Sequence, residues 1–170
     1  MRQLLSLLLA ILYTVSGYSQ SLKKYPISNS GCSAYFFCDP GTIGLDKSPD
    51  SSDVYTGECS IDSQSYGIIC VKLKEKIPDI NTSEETLVAY LDYLKSSLNI
   101  TSAAGYGKGH KLKNREDTRG ILDYWKDKDG ANWKIKAWTN GKYMAVMYTY
   151  SAKELNETKG NVFLDGLVLP

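Results

Sequence analysis

Several chemistries that enzymes use have little basis in this sequence. Its 170 residues include a single histidine, His110, and only three phenylalanines. No GxSxG, HExxH or HxH pattern occurs, so neither a nucleophile elbow nor a histidine-based zinc site is indicated. The four cysteines contain no CxxC pair, which argues against a zinc site and against a redox-active pair. We therefore expect no metal and no cofactor.

Charge of one sign and long apolar runs are also missing. The formal net charge is +1 and becomes zero without Arg2, the only charged residue among residues 1–20. Nucleic-acid-binding proteins usually have a basic excess, so we expect no nucleic-acid partner. After residue 20 no segment is long and apolar enough to span a bilayer, so we expect no membrane span.

The N-terminus has the pattern of a secretory signal peptide. Arg2 precedes an apolar run from Leu4 to Tyr13, which is too short for a transmembrane helix. Small residues, including Gly17 and Ser19, follow it and are typical of a cleavage region. We predict that residues 1–20 are a signal peptide. Residues 21–170 are then a single secreted or periplasmic domain.

The even number of cysteines predicts two disulfides in an exported protein. A hairpin that turns near Gln64 and Ser65 would place Cys59 opposite Cys70, close enough for a bond. This predicts Cys59–Cys70 and leaves Cys32–Cys38 as the second bridge. The main rival is Cys32–Cys59 together with Cys38–Cys70, because the first strand could lie beside the second.

The stretch from Thr118 to Tyr150 predicts three antiparallel strands. Asp129-Gly130 and Asn140-Gly141 are both suited to two-residue type I′ turns. These turns would place Tyr124 opposite Ile135 and Trp138 opposite Tyr143. Because side chains alternate along a strand, two faces result. One is a core face with Leu122, Tyr124, Trp133, Ile135, Ala137, Met144, Val146 and Tyr148. The other has Ile121, Asp123, Trp125, Lys134, Lys136, Trp138, Tyr143, Ala145 and Met147.

The remaining patterns complete an α+β fold. A capping box at Thr82 and Glu85 predicts a helix that ends near Asn99, with a stripe of leucines along one side. Ser151 and Glu154 predict the start of a terminal helix. The other predicted segments are a loose lead-in at Ser21–Gly31, a strand at Ser33–Cys38, a loop at Thr42–Ser52, a hairpin of Asp53–Ile61 and Tyr66–Leu73, and an exposed strand or loop at Lys111–Asp117. We expect an antiparallel sheet of about six strands with helices packed on it, as an α/β/α sandwich. The runner-up is a cystatin- or NTF2-like curved sheet wrapped on one helix.

The order of these elements resembles the Mog1/PsbP-like fold. The features are the strand ending in Cys38-Asp39-Pro40-Gly41 with the hairpin after it, the helix from Thr82, and the closing strands with Trp133–Trp138 and Asn140–Tyr143, followed by a short helix ending at Phe163–Leu169. The four cysteines are a departure from this fold. The resemblance implies a non-catalytic binding or assembly factor, and no functional residue carries over from it.

Aromatic and cationic side chains on the second face are the candidate binding surface. They are Trp125, Lys134, Lys136, Trp138 and Tyr143. Aromatic rings beside cations suit a protein partner or a small anionic or sugar-like ligand. The competing interpretation is that a helix covers this face, with the lysine stems extending to its edge.

The function predicted from the sequence is a non-catalytic secreted or periplasmic binding or assembly module of unknown ligand. Two alternatives stay open. One is a secreted inhibitor or effector that acts through an exposed loop such as Thr42–Ser52. The other is a small hydrolase in which His110 pairs with Asp117 or Asp123 for acid–base chemistry.

Overall fold

A computed structural model describes residues 21–105 and 107–170. The predicted signal peptide lies outside the described residues. The described chain forms an α+β fold with ten strands, two α-helices and a short 3-10 turn at Leu112–Asn114. The strands are β1 (Lys23–Pro26), β2 (Ser33–Phe36), β3 (Gly44–Lys47), β4 (Asp53–Ile61), β5 (Gln64–Lys72), β6 (Ile100–Ala103), β7 (Gly107–His110), β8 (Arg119–Asp127), β9 (Asn132–Thr139) and β10 (Tyr143–Ser151); the helices are α1 (Ile80–Ser97) and α2 (Glu157–Leu164).

Eight of the strands form one antiparallel sheet in the order β3-β4-β5-β10-β9-β8-β6, with β7 also paired to β8. Among the described strands, β1 and β2 pair only with each other and form a separate hairpin. The expectation of about six strands was therefore too low. The predicted lead-in at Ser21–Gly31 contains β1, and the predicted loop at Thr42–Ser52 contains β3. The connection that follows α1 contains β6 and β7.

Two apolar clusters lie on opposite faces of the large sheet. On the face we call the helix face, Leu87, Leu91 and Leu94 of α1 pack against residues such as Ile135 and Val146. On the other, the hairpin face, β1, β2 and α2 bury a second cluster. Its members include Ile27, Phe36, Tyr66, Cys70, Met147 and Phe163. One covering layer thus combines a helix with a β-hairpin, so the predicted α/β/α sandwich is an imprecise description.

The main helix begins earlier than its capping box suggested. Asp79 is the N-cap residue, and its carboxylate accepts a hydrogen bond from the backbone N–H of Thr82 at 2.7 Å. An aspartate there satisfies an amide that has no partner within the helix. The helix ends at Ser97, close to the predicted Asn99. Its leucine stripe is buried at the three positions nearest the sheet, as the periodicity predicted.

The terminal helix is shorter than predicted. Asn156 caps its start by accepting from the backbone N–H of Lys159 at 3.0 Å. Phe163 is fully buried in the hairpin-face cluster, whereas Val162 is 45% exposed. A Cβ atom on Gly160 would lie 3.3 Å from Cγ2 of Thr149, so this glycine lets α2 approach β10 closely.

The β8–β9 turn differs from the predicted type I′ turn, with a large consequence. The amide of Asp127 donates to the carbonyl of Ala131 at 3.1 Å, which closes a three-residue loop. Only Gly130 in this loop has a positive φ, of 85°. The extra residue places Asp123, rather than Tyr124, opposite Ile135. A one-residue slip exchanges the two faces of a strand. Ile121, Asp123 and Trp125 therefore lie on the helix face, and Leu122 and Tyr124 lie on the other.

The β9–β10 and β4–β5 registers are also shifted, but by even numbers of residues. Ala145, rather than Tyr143, lies opposite Trp138, a shift of two residues. In the first hairpin Cys59 lies opposite Tyr66 because the turn falls at Asp62 and Ser63, both with positive φ. An even shift leaves every side chain on its predicted face. It nevertheless moves cross-strand partners far apart along the strands.

Candidate functional site

The five residues of the predicted binding surface do not lie on one face. Trp125 is on the helix face, opposite Trp133, because of the β8–β9 register. Its indole N–H donates to the buried carboxylate of Asp123 at 2.6 Å. Lys134, Lys136, Trp138 and Tyr143 lie on the hairpin face. The predicted cluster is thus divided between the two sides of the sheet.

The two lysines of that cluster are paired with acids of α2 and its end. Lys134, which is 5% exposed, donates to Glu157, and its ammonium lies 5.0 Å from the ring centroid of Tyr124. The hydrogen bond to Glu157 and other contacts raise the pKa of Lys134 against the opposing effect of burial. Lys136 donates to Asp165. These pairs hold α2 against β9. In this part of the surface a helix therefore covers the face, which was the competing interpretation of the sequence.

The two aromatic residues beside these lysines are buried. Trp138 packs its ring over Gly120, where a Cβ atom would lie 2.1 Å from the ring carbons. Tyr143 donates its hydroxyl to the backbone carbonyl of Ser30 at 2.9 Å. Both residues belong to the apolar cluster of the hairpin face. The side chains of Trp138 and Tyr143 are therefore packed inside the protein rather than on a binding surface.

The predicted disulfide pairing is wrong. Cys59 is bonded to Cys38, with the two Cα atoms 5.9 Å apart. The shifted register of the first hairpin explains the error, since Cys70 lies opposite Tyr55 instead of Cys59. Cys32 and Cys70 have free thiols, and both are buried. Their sulfur atoms are 3.3 Å apart.

The groups considered for acid–base chemistry have separate environments. His110 is exposed on β7. Asp117 accepts two hydrogen bonds from Arg115, which lowers the pKa of the carboxyl group. Asp123 is fully buried and forms an ion pair with Lys95 at 3.5 Å. Among residues 21–105 and 107–170, no group of three or more histidine, cysteine or acidic side chains could hold a metal ion.

The segment proposed as an effector loop is compactly folded. Residues Gly44–Lys47 form β3 at one end of the large sheet. The turn after it is closed by a hydrogen bond from the amide of Ser48 to the carbonyl of Ser52 at 3.0 Å. Asp50 accepts from the Ser52 hydroxyl at 2.8 Å inside this turn, and hydrogen bonds from Ser48 and Ser52 lower its pKa. The turn thus forms one wall of a cleft.

That cleft is larger than two others on the described surface. Its volume is about 440 Å³, against about 280 Å³ for the cleft beside Tyr124 and about 330 Å³ for the one beside Tyr148. We call it the α1–β3 cleft. It is lined by Asp46, Lys47, Ser48, Pro49, Val54, Tyr90 and Tyr93. An apolar cleft of this size with a few polar groups at its rim is typical of a binding site.

Two tyrosines of α1 form one wall of the α1–β3 cleft. The rings of Tyr90 and Tyr93 stack with centroids 6.0 Å apart and planes 25° from parallel. Tyr93 is 63% exposed, which is unusual for so large a side chain. Burial raises the pKa of Tyr90 to about 12, with a further contribution from Tyr93. The wall is therefore aromatic, and Tyr90 is uncharged at neutral pH.

The opposite wall combines charged and apolar groups. Val54 on β4 provides the apolar floor and packs against the helix-face cluster. Asp46 lies opposite Val54 in the β3–β4 pair. Lys47 forms an ion pair with Asp53, and hydrogen bonding to Lys47 lowers the pKa of that aspartate. The rim can thus position polar groups of a ligand while the floor contacts its apolar part.

Sequence analysis did not find this site. Tyr90 and Tyr93 lie three residues apart on α1, outside the leucine stripe. Residues spaced by three are neighbours on a helix surface. Two tyrosines at that spacing, outside the leucine stripe, were the one sequence pattern that could have indicated an aromatic surface on α1. Their proximity to β3 depends on the packing of α1 across the sheet.

The sequence matches no protein-family model, and no curated protein is similar to it. The described helices contain none that is long and apolar enough to cross a membrane. The site must therefore be interpreted from its own residues.

Proposed function

We propose that this protein is a non-catalytic binding module of the cell exterior or periplasm. We further propose that the α1–β3 cleft binds an extended polypeptide segment. The observation that supports this most strongly is an apolar cleft of about 440 Å³ with an exposed tyrosine on its wall. Export is supported by the Cys38–Cys59 disulfide, since disulfides persist mainly in oxidising compartments.

The position of β3 favours a polypeptide over a small ligand. Within the described chain, β3 pairs only with β4, so its other edge has free backbone donors and acceptors. An extended peptide can add a strand to such an edge and place alternate side chains in an adjacent pocket. The α1–β3 cleft begins beside this edge, at Asp46 and Lys47. An apolar side chain of the added strand would reach Val54 and Tyr90.

Selection from a library of random peptides tests this proposal. We expect the protein to select extended sequences with a central apolar or aromatic residue. Tyr93→Ala should weaken their binding by about tenfold or more, because exposed aromatic anchors dominate the energy of such contacts. The matched control is Tyr124→Ala, which truncates a tyrosine that is 43% exposed and lines a different cleft. This control should bind like the wild type.

Backbone pairing can be tested separately with N-methylated peptides. Methyl groups on the amides that face β3 should abolish binding, whereas methyl groups shifted by one residue should not, because amides alternate in direction along a strand. Equal effects of the two methylation patterns would show that the peptide does not add to the sheet. Selected peptides that bind Tyr93→Ala as tightly as the wild type would exclude the cleft as the site.

We also propose a relationship to the Mog1/PsbP-like fold. Support comes from the order of elements, in which a hairpin, a long helix, three antiparallel strands and a short helix follow one another. The separate β1–β2 hairpin on the face opposite α1 would be an addition to that plan. An experimental structure of the protein, superposed on members of that fold over β4, β5, α1 and β8–β10, tests this relationship. A different strand order would contradict it.

A further inference from the structure

The thiols of Cys32 and Cys70 meet in the hairpin-face cluster. Their sulfur atoms are 3.3 Å apart, with Cys32 2% exposed and Cys70 fully buried. A disulfide requires an S–S separation of about 2.05 Å, so small side-chain rotations separate this contact from a bond. We propose that Cys32 and Cys70 form a second disulfide in the exported protein. This covalent link would fasten the β1–β2 hairpin to the central strand β5.

The position of Cys32 is fixed by its neighbours. The backbone carbonyl of Cys32 accepts from the amide of Ile27 at 2.9 Å, and its amide donates to the Ser30 hydroxyl at 3.0 Å. The next residue, Ser33, exchanges two backbone hydrogen bonds with Val168. Cys70 is held in the middle of β5, between β4 and β10. Both cysteines are therefore anchored with their sulfur atoms in contact.

The geometry of the existing disulfide agrees with a second one. Cys38 lies two residues after β2 and is joined to Cys59 on β4, whereas Cys32 immediately precedes β2 and meets Cys70 on β5. Cys70 lies opposite Tyr55, four residues before Cys59 on β4. The two attachment points are thus about 13 Å apart along the sheet. The six residues from Cys32 to Cys38 reach about 20 Å when fully extended, which is more than that distance, so both ends of β2 can be tied to the sheet.

The hairpin needs such a link more than other strands do. Within residues 21–105 and 107–170 it has no strand pairing with the large sheet, and an isolated two-stranded hairpin is marginally stable in water. Its attachment otherwise depends on apolar packing, on the Cys38–Cys59 disulfide just after β2, and on hydrogen bonds such as those of Tyr143 with Ser30 and of Ser33 with Val168. A bond between residues 38 positions apart restricts the unfolded chain and so stabilises the folded one.

Thiol–disulfide exchange would form the bond. The Cys32 thiolate attacks the disulfide of a donor, such as oxidised glutathione, and displaces one donor thiolate. Cys70 then attacks the Cys32 sulfur of the mixed disulfide and displaces the second. Two electrons and two protons pass from the cysteines to the donor, which leaves as two thiols. Hydrogen bonding from Cys70 lowers the pKa of Cys32, and the same contact together with burial raises the pKa of Cys70. These shifts belong to the packed contact and set no order in the separated segments, where the same exchange can also begin at Cys70.

Because both thiols are buried in the folded protein, the bond has to form before folding is complete. Neither sulfur is accessible to a donor disulfide once the hairpin has packed on the sheet. Cys32 belongs to the hairpin and Cys70 to the sheet, so both are accessible only while these two parts are separate. We therefore expect the bond to form during folding, in an oxidising compartment, and to resist reduction in the folded protein.

Peptide mapping of the unreduced full-length product is the direct test. The protein is refolded with a mixture of oxidised and reduced glutathione, denatured without reductant, alkylated and digested. We expect no alkylated cysteine and a cross-linked pair of peptides containing Cys32 and Cys70. Alkylation of both residues, or bonds that join Cys32 to Cys59 or to Cys38, would overturn the proposal.

A stability measurement gives an independent test. The variant Cys38→Ala/Cys59→Ala retains only the proposed bond, so protein refolded with reductant should have a Tm about 10 °C below that of protein refolded with the glutathione mixture. The matched variant Cys32→Ala/Cys70→Ala should show a response to reductant that comes from Cys38–Cys59 alone. No effect of reductant on the first variant would contradict a second bond. If that variant does not fold, peptide mapping of the wild type decides.

Discussion

Trp125 lies directly opposite Trp133 in the β8–β9 pair, and both indoles face α1. Each indole N–H donates to an aspartate of β8, Trp125 to Asp123 at 2.6 Å and Trp133 to Asp127 at 2.9 Å. Asp127 also accepts from the amide of Ala131 at 2.9 Å, within the three-residue turn. The same carboxylate thus stabilises the turn and positions a tryptophan. This arrangement selects the observed register over the one-residue alternative.

Two glycines of this region should respond differently to substitution. Gly130→Ala should destabilise the protein by about 1 kcal/mol, because φ is 85° but no atom lies within 4 Å of the added methyl. Gly120→Ala should cost more, about 1–3 kcal/mol, because the methyl would overlap the Trp138 ring. Urea unfolding measures both. Gly105→Ala, at another open position with positive φ, is the control for Gly130.

The leucine stripe of α1 should account for much of the packing on the helix face. Leu91→Ala and Leu94→Ala should each lower the free energy of unfolding by about 2–5 kcal/mol, since both side chains are buried. Tyr93→Ala on the same helix is the control, because that ring is largely exposed. Thermal or denaturant melts distinguish them. Leucine variants as stable as Tyr93→Ala would show that α1 is not packed on the sheet.

Asp123 should be sensitive to loss of its charge. It is fully buried, pairs with Lys95 and accepts from Trp125. Removing one partner of a buried ion pair typically lowers the free energy of unfolding by about 3–5 kcal/mol. For Asp123→Ala we expect a loss near the lower end of that range, because Lys95 is partly exposed. Asp123→Asn keeps a hydrogen-bond acceptor for Trp125 and should cost less. Equal losses in the two variants would argue against the indole hydrogen bond as a contributor.

Stability should fall at alkaline pH partly because of Tyr66. Burial, with a smaller effect of Asp62, raises its pKa from 10.0 to about 12. The folded state therefore holds this proton more tightly than the unfolded state. The contribution is fully present below pH 10 and is lost as the pH rises through about 12. Free energies of unfolding measured across this range should decline less steeply for Tyr66→Phe. Identical slopes for the two proteins would contradict the assignment.

The sequence alone determined the fold class and the leucine stripe of α1. These follow from periodicity and composition, which act locally and survive errors in register of two or four residues. The closing strands were also predicted in the right places. Their side chains on β9 and β10 lie on the predicted faces, because those register errors were even.

Only the tertiary structure decided what depends on exact turns and on contacts between distant segments. One extra residue in the turn before β9 moved Trp125 to the helix face and divided the predicted binding surface. The turn at Asp62 and Ser63 moved Cys70 away from Cys59 and left Cys38 as the bonded partner. The α1–β3 cleft forms where a helix from the middle of the chain passes near an early edge strand. The residue spacing within α1 or within β3 does not predict that the two are close, because their proximity results from how α1 packs across the sheet.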